Sequence, residues 1–304
     1  MRILLAGATG AIGRPLIRAL KQHGHAVFGL VRSAESTRRL NEMDAEAVIG
    51  DALDAGSVRT AIDRVRPDAV INELTSLPAH YSPEEMEAAA ERDRKVRTEG
   101  NINLLAGMRE SGIRRYVLQA SGFWYAPGQG PADESSPLAI EASPGVAASV
   151  RTYLELESTA SQQSEIDCVV MRYGFFYGPG TWYTKTGDMG EQVRRQQVPI
   201  IGAGQGVSSF VHIEDAASAT VAAIECAPGA YNIVDDDPSP QDVWLPAFAR
   251  ACGGPQPPQI SEEDALATAG IDSVYYSTRL RGASNEKARR QLNFRPRRLE
   301  WLQA

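Results

Sequence analysis

The sequence of 304 residues predicts an α/β fold, a doubly wound parallel sheet with a smaller C-terminal substrate-binding lobe. Short apolar runs alternate with segments of helical periodicity over about the first 175 residues. Because parallel strands need crossover connections, this alternation predicts a sheet that is covered by helices on both faces. Beyond Gly178 the pattern loosens and glycine and proline become frequent, which is typical of an irregular lobe.

Six apolar runs are the predicted strands, with helical segments such as GRPLIRALKQHG and TEGNINLLAGMRESG between them. The runs are ILLAG (3–7), AVFGLV (26–31), AVIG (47–50), DAVIN (68–72), RYVLQAS (115–121) and DCVVMRY (167–173). We expect residues 1–175 and about 208–226 to form the sheet domain. Residues 176–207 and 227–304 are expected to form the lobe, which would close over the carboxyl ends of the strands.

Composition limits the classes of partner. A net charge of −7 argues against a nucleic-acid surface. The three cysteines are scattered, which favours thiols in a reducing compartment, and the four histidines lack ligand spacing, so no metal site is expected. The chain has no long apolar run and begins directly with a strand pattern, so we expect a cytoplasmic protein without a membrane partner.

The first strand runs directly into three glycines spaced three apart, in the stretch RILLAGATGAIGR. A strand–glycine–helix turn gathers free backbone N–H groups at a positive helix end, which suits a pyrophosphate. Gly7 permits the tight turn, Gly10 allows close backbone approach, and Gly13 lets the helix pack on the sheet. Such a triplet also occurs for packing alone, but its position at the first crossover favours dinucleotide binding.

Two residues after the next strands bear on the choice of dinucleotide. Arg32 follows the second strand, where an acidic residue would bind the ribose of NAD. Because a guanidinium suits a 2′-phosphate, Arg32 favours NADP(H) over NAD(H); the alternative is an exposed arginine. Asp51 could contact the adenine or simply cap a helix.

With these residues, the chain resembles the extended short-chain dehydrogenase/reductases, also called the NAD-dependent epimerase/dehydratase family. GATGAIG is similar to the cofactor turn, GDALD to the adenine-contacting segment and RRYVLQAS to the strand that ends in the catalytic serine. RYGFFYGPGT, FVHIEDAASA and GAYNIVDDDPSP resemble later family segments. The resemblance implies a Rossmann-type fold, but it does not fix the reaction, because this superfamily includes several chemistries.

The resemblance implies a set of cofactor-binding residues. They are Gly7, Thr9, Gly10, Ala11, Ile12, Gly13, Arg32, Asp51, Ala52, Leu53, Leu74, Ser121, Tyr173, Gly174, Phe175 and Phe176. Ser121 takes the place of the family's catalytic serine. The resemblance also makes a homodimer through the helices over 82–110 and 147–164 an expectation.

The family's tyrosine and lysine, four residues apart, are missing. The residues four positions before Lys21, Lys95, Lys185 and Lys287 are Ile17, Glu91, Thr181 and Ala283. When Glu157 is aligned with the family's glutamate, Tyr153 falls at the lysine position and Ser149 at the tyrosine position. Arg97 stands where the family has an asparagine. General acid–base assistance contributes about 10²–10⁴-fold to a rate, so an enzyme that needs a proton would require a replacement donor.

The candidate catalytic residues are Ser121, Tyr125 and Tyr153; for each tyrosine, a role as a packed wall is the alternative. Aromatic residues in glycine- and proline-rich loops predict a hydrophobic substrate pocket. They are Phe123, Trp124, Tyr177, Trp182 and Tyr183, together with Phe175 and Phe176.

The sequence therefore predicts an NADP(H)-dependent oxidoreductase that reduces, oxidises or epimerises a small hydrophobic carbonyl or hydroxyl compound. One alternative is a non-redox cyclase or isomerase that uses Ser121 and a tyrosine to polarise a carbonyl. Another is a catalytically silent NADP(H)-binding sensor.

Overall fold

A computed structural model describes residues 1–303. The strands are β1 (Arg2–Ala6), β2 (Ala26–Val31), β3 (Glu46–Ile49), β4 (Ala69–Asn72), β5 (Arg115–Ser121), β6 (Asp167–Tyr173), β7 (Phe175–Tyr177), β8 (Ile200–Ile201), β9 (Val207–Ser208), β10 (Phe210–His212), β11 (Gly229–Ile233), β12 (Ser239–Pro240) and β13 (Gln259–Ile260). The helices are α1 (Gly13–Gln22), α2 (Ala34–Glu42), α3 (Ala55–Val65), α4 (Pro83–Glu110), α5 (Pro144–Ser161), α6 (Asp188–Arg194), α7 (Ile213–Ala223), α8 (Gln241–Ala251), α9 (Glu262–Thr268), α10 (Gly270–Thr278) and α11 (Glu286–Gln291), with a final 3₁₀ turn (Glu300–Leu302).

Seven parallel strands form the central sheet in the order β11-β6-β5-β4-β1-β2-β3. All six predicted strands belong to it, which confirms the α/β fold class. The order reverses between β1 and β4, and in open parallel sheets ligands bind at such a switch point, outside the carboxyl ends of the strands.

Two apolar layers cover the faces of the sheet. On one face, α1 and α7 pack around Leu16, Ile17 and Val211. On the other face, α3, α4 and α5 pack around Ile62, Leu104 and other apolar side chains. Burial on both faces explains why the strand sequences are almost continuously apolar, without the alternation of a half-exposed sheet.

An ion pair fixes α5 against the sheet. The guanidinium of Arg172 on β6 donates to both carboxylate oxygens of Glu157, at 2.9 and 2.6 Å. Both side chains are largely buried, so removing one partner would leave an uncompensated charge, at a cost of about 3–5 kcal/mol. The pair therefore holds α5, the helix that carries Tyr153, against β6.

The lobe has an aromatic core, in which Phe210 and Trp301 pack edge to face at 5.1 Å and Phe248 and Trp301 at 4.9 Å. Its short strands form two-stranded sheets: β7 pairs with β10, β8 with β13, and β9 with β12.

The expected division of the chain is wrong at two places. Strand β11, assigned to the lobe, pairs with β6 and forms an edge of the central sheet. Strand β10 pairs with β7, and its Val211 packs into the core of the sheet domain. Residues near α11, such as Leu292 and Phe294, also pack into the core of the sheet. The chain thus crosses between sheet and lobe more often than composition indicated.

Candidate active site

The glycine turn is the tightest segment at the switch point. Gly7 has φ +86°, and a Cβ there would lie 2.3 Å from the carbonyl oxygen of Glu73. A Cβ on Gly13 would lie 2.4 Å from the carbonyl oxygen of Ala8. In contrast, a Cβ on Gly10 would meet only the carbonyl oxygen of Gly7, at 3.2 Å. Gly7 and Gly13 are therefore required by the fold, whereas Gly10 keeps the outer surface of the turn free.

The start of α1 fits an anionic group. Helix α1 begins at Gly13; no capping side chain accepts from its first N–H groups, and its first turn contains no acidic residue. A cleft of about 350 Å³ lies against the turn, lined by Thr9, Gly10, Ala11, Arg14 and Arg18 among others. Free N–H groups, a positive helix end and two arginines together suit the diphosphate of a dinucleotide.

The ends of β2 and β3 lie on the side of the switch point where the sequence predicts the adenosine to bind. Arg32 directly follows β2 and is exposed, and Ser33 beside it caps α2 by accepting from the N–H of Ser36. The carboxylate of Asp51 accepts from the N–H of Leu53 at 3.0 Å, while Asp54 is the residue that caps α3. Asp51 thus belongs to a turn of its own, and the helix-cap interpretation of Asp51 is wrong.

A buried carboxyl lies under the glycine turn, and the sequence analysis missed it. Glu73 follows β4 and is 3% exposed; its Oε1 accepts from the hydroxyl of Tyr173 at 3.0 Å. Its other oxygen is buried without a hydrogen-bond partner within residues 1–303. Burial raises the pKa of Glu73 to about 8, against smaller lowering by Tyr173 and Arg97. The only sequence signal was an acidic residue at the end of an apolar strand.

Arg97 and Tyr153, two residues singled out by the sequence, lie side by side, and Arg97 also contacts β5, the strand that ends at Ser121. Ser121 ends β5, and its hydroxyl oxygen is buried without a partner in the described chain. The guanidinium of Arg97 lies 5.1 Å from the centre of the Tyr153 ring and donates to Gln119, two residues before Ser121 on the same strand. Burial raises the pKa of Tyr153, an effect that the charge of Arg97 partly offsets, so its phenol stays protonated at neutral pH.

Tyr125 does not belong to this group, and the expectation that it donates a proton is wrong. Its side chain is completely buried, its hydroxyl donates to Asn232, and it accepts from Arg172 at 3.0 Å. A hydroxyl enclosed in this way has no path to a substrate. It completes the network that also contains the Arg172–Glu157 pair.

The predicted aromatic pocket divides into lining residues and core residues. Phe123, Trp124 and Phe175 are half-buried; Phe123 stacks on Phe175 at 4.0 Å, and Trp124 lies 5.4 Å from Tyr153. Tyr276, which the sequence analysis missed, accepts from the indole of Trp124 at 3.0 Å. These four residues form an aromatic wall beside the end of β5.

Other aromatic candidates lie elsewhere. Tyr177 is 1% exposed and packs edge to face on Trp301 at 5.0 Å, so it belongs to the core of the lobe. Tyr183 is also buried there. Tyr173 lies in the core of the sheet domain, where its hydroxyl bonds Glu73 and Thr220. Trp182 remains half-buried near Tyr81, at 5.1 Å. The expectations of direct ligand contact for Tyr177 and Tyr183 are therefore wrong.

Residues 1–303 contain no group of three or more metal-ligating side chains that could hold an ion. None of their helices combines the length and the apolar character needed to cross a membrane.

The switch point, the glycine turn and the aromatic wall define an enzyme of the extended short-chain dehydrogenase/reductase class. Residues 3–233 match the NAD dependent epimerase/dehydratase family, and the chain belongs to that family.

Among individual proteins, the chain is similar to two reductases and to an epimerase of known structure. The chain is 41% identical over 305 aligned residues to 3-diazoavenalumate denitrifying reductase of a Streptomyces species, with 99% of this chain and 98% of that protein covered. It is 26% identical to 2-alkyl-3-oxoalkanoate reductase of Stenotrophomonas maltophilia, over 84% of this chain and 77% of that one. The crystal structure of Thermus thermophilus UDP-glucose 4-epimerase with NAD superposes with a TM-score of 0.74 at 23% identity, covering 98% and 94% of the chains.

Proposed function

We propose that this enzyme is an NADP(H)-dependent reductase of a small aromatic diazo compound, which it converts with loss of dinitrogen. The observation that carries the proposal is the reacting end of the site, where the family's tyrosine–lysine pair is missing and Tyr125 is enclosed. The 41% identical relative is named for a denitrifying reduction of a diazo compound.

The stoichiometry of this reaction explains why the missing pair is tolerated. When an aromatic diazonium group is replaced by hydrogen, the ring carbon gains a hydride, and the electrons of the C–N bond leave with dinitrogen. The balance consumes no proton. Carbonyl reduction does consume one, and losing its donor would lower the rate by about 10²–10⁴-fold. When bound, the reduced nicotinamide supplies the hydride.

The chain's own residues have separable tasks in this proposal. The glycine turn and the start of α1 hold the diphosphate, and Arg32 binds the 2′-phosphate that distinguishes NADP(H) from NAD(H). Phe123, Trp124 and Phe175 provide an aromatic wall against which a planar ring can pack.

The test measures transfer of deuterium to the product together with release of dinitrogen. NADPH deuterated at C4 is mixed with a stable arenediazonium salt, and dinitrogen release and deuterium in the arene are measured. We expect one deuterium in the arene per dinitrogen released, at a rate above the enzyme-free reaction. The control is a Gly10→Val variant, which retains the aromatic wall but should bind NADPH more weakly. NADPH oxidation without deuterium in the arene, or no rate above the control, would contradict the proposal.

A second candidate is reduction of a hydrophobic carbonyl compound, as in the sequence-based expectation. It is favoured by one contact, the guanidinium of Arg97 beside the Tyr153 ring, which keeps a phenol next to a cation. A relative is also named as an oxoalkanoate reductase. Tyr153→Phe separates the candidates: carbonyl reduction should fall about 100-fold, while reduction of an arenediazonium salt without a phenol or carboxyl group, which needs no proton, should change little. Product formation without any nicotinamide would instead favour a cyclase or isomerase.

We also propose a homodimer through α4 and α5. The two helices pack together, and Ile102 and Leu154 are 49% and 37% exposed on them. Light scattering on the wild type and on Ile102→Glu tests this, and a monomeric wild type would contradict it.

A further inference from the structure

Two of the residues that depart from the family pattern meet in space. Arg97 replaces an asparagine on α4, and Tyr153 occupies the lysine position on α5, yet the guanidinium lies 5.1 Å from the Tyr153 ring centre. A cation over an aromatic face is attractive, and more so where water is excluded. The two substitutions therefore form one coupled arrangement.

The guanidinium of Arg97 is held in place from two sides. Its Nε donates to Asp93 at 2.7 Å, and its Nη1 donates to Gln119 on β5 at 3.3 Å. The residue is 5% exposed. These bonds use two of the five N–H donors of a guanidinium, so an additional acceptor can bind without displacing either.

Two acceptors already contact Arg97, the carboxylate of Asp93 and the amide oxygen of Gln119. Asp93 is shared, because it also accepts from the N–H of Ser76. Glu73 has a pKa of about 8, raised by burial, and so carries little charge at neutral pH. Tyr153 and Ser121 contribute hydroxyl groups, and the hydroxyl oxygen of Ser121 is buried without a partner in residues 1–303. A permanent cation with two hydroxyl donors is the chemistry that stabilises an anionic oxygen.

We propose that Arg97, with Tyr153 and Ser121, forms an oxyanion subsite that selects aromatic substrates carrying a phenolate or carboxylate oxygen. This inference rests on the proposed function, for which it specifies the substrate class. The aromatic ring of the substrate packs against Trp124, whose ring lies 5.4 Å from that of Tyr153. Arg97 is the specificity-determining residue of the subsite.

Binding measurements without turnover test the subsite. Protein with and without NADP⁺ is titrated with cinnamate and with its neutral isostere cinnamamide, and the fluorescence change of the tryptophans is recorded. We expect cinnamate to bind at least about tenfold more tightly than cinnamamide. In a second arm, bound 4-nitrophenol should ionise at a lower pH than free 4-nitrophenol, as read from the colour of its phenolate. The first arm reports a carboxylate and the second a phenolate.

Variants assign the effect to Arg97. Arg97→Met should abolish both the cinnamate preference and the shift of 4-nitrophenol, and Arg97→Lys should restore part of each. The matched control is Arg94→Met, on the same helix, where the exposed arginine pairs with Glu91 at 2.7 Å. If Arg97→Met does not fold, the double variant Arg97→Met/Asp93→Asn is used in its place, because it removes both charges of the buried pair.

Two results would overturn the inference. One is equal affinity for cinnamate and cinnamamide in the wild type, together with an unshifted 4-nitrophenol. The other is a preference that survives in the variant without Arg97. Either result leaves the deuterium-transfer experiment unaffected, so failure of the subsite and failure of diazo reduction are distinguishable.

Discussion

The two ends of the cleft follow the family pattern to different degrees. At the glycine turn, the residues of the pattern are present, and two of the three glycines are required because a Cβ there would lie 2.3 or 2.4 Å from a backbone carbonyl oxygen. At the reacting end only Ser121 is retained, while Tyr153 and Arg97 stand in the positions of other residue types. The glycine turn thus follows the family pattern, whereas the reacting end departs from it.

The largest expected effect separates the structural glycine from the binding glycine. Gly7→Val forces a side chain against the backbone of Glu73 at positive φ, and should destabilise the fold by about 2–4 kcal/mol. Gly10→Val should change the unfolding free energy by less than about 1 kcal/mol, yet lower NADPH affinity at least about tenfold. Urea denaturation and NADPH titration measure the two effects. Unchanged NADPH affinity in Gly10→Val would remove the turn from the cofactor site.

Tyr125→Phe tests whether this tyrosine is structural. The substitution removes hydrogen bonds to Asn232 and Arg172 inside a closed network, and should destabilise the protein by about 1–3 kcal/mol. The turnover number of the folded variant should stay near the wild-type value. A selective loss of turnover with unchanged stability would return Tyr125 to the reacting end.

Arg32→Asp tests the adenosine end of the cleft. Replacing the exposed guanidinium by a carboxylate should weaken NADPH binding about tenfold, or about 1.4 kcal/mol, and shift preference towards NADH. Arg38→Asp, an equal change of charge at an exposed site on α2, is the control. Equal weakening in both variants would indicate a general charge effect, without a 2′-phosphate contact at Arg32.

The smallest effect concerns the buried carboxyl between the two ends. Burial raises the pKa of Glu73 from its ordinary 4.5 to about 8, so the folded protein holds a proton that the unfolded chain releases. Its contribution to stability is complete below the unfolded pKa and is lost as pH rises through about 8. Melting temperatures at pH 6 and pH 9 should differ less in Glu73→Gln than in the wild type, by about 4 °C. The exposed Glu91→Gln is the control, and a wild-type pH dependence in Glu73→Gln would contradict the assignment.

The fold was predictable because its signals are local. Apolar strands and glycine spacing are properties of short segments, and all six strands that they indicate are present in the sheet. The division into sheet domain and lobe was less predictable, since β11 depends on pairing with β6, about 60 residues away along the chain.

The reacting end was only partly predictable, because the role of a tyrosine depends on distant partners. The sequence made both Tyr125 and Tyr153 candidate proton donors. In the structure, the buried hydroxyl of Tyr125 donates to Asn232, 107 residues away, whereas Tyr153 lies beside Arg97. Glu73 likewise acquires its character from Tyr173, 100 residues away. Such contacts arise from tertiary packing, and no local pattern specifies them.

Calorimetry of the purified protein with NADPH and NADH tests most directly that the glycine turn holds a nicotinamide dinucleotide. We predict saturable heat with both coenzymes and higher affinity for NADPH. In Gly10→Val, the affinity for NADPH should be at least about tenfold lower. Absence of binding heat for either coenzyme, in oxidised as well as reduced form, would contradict the account.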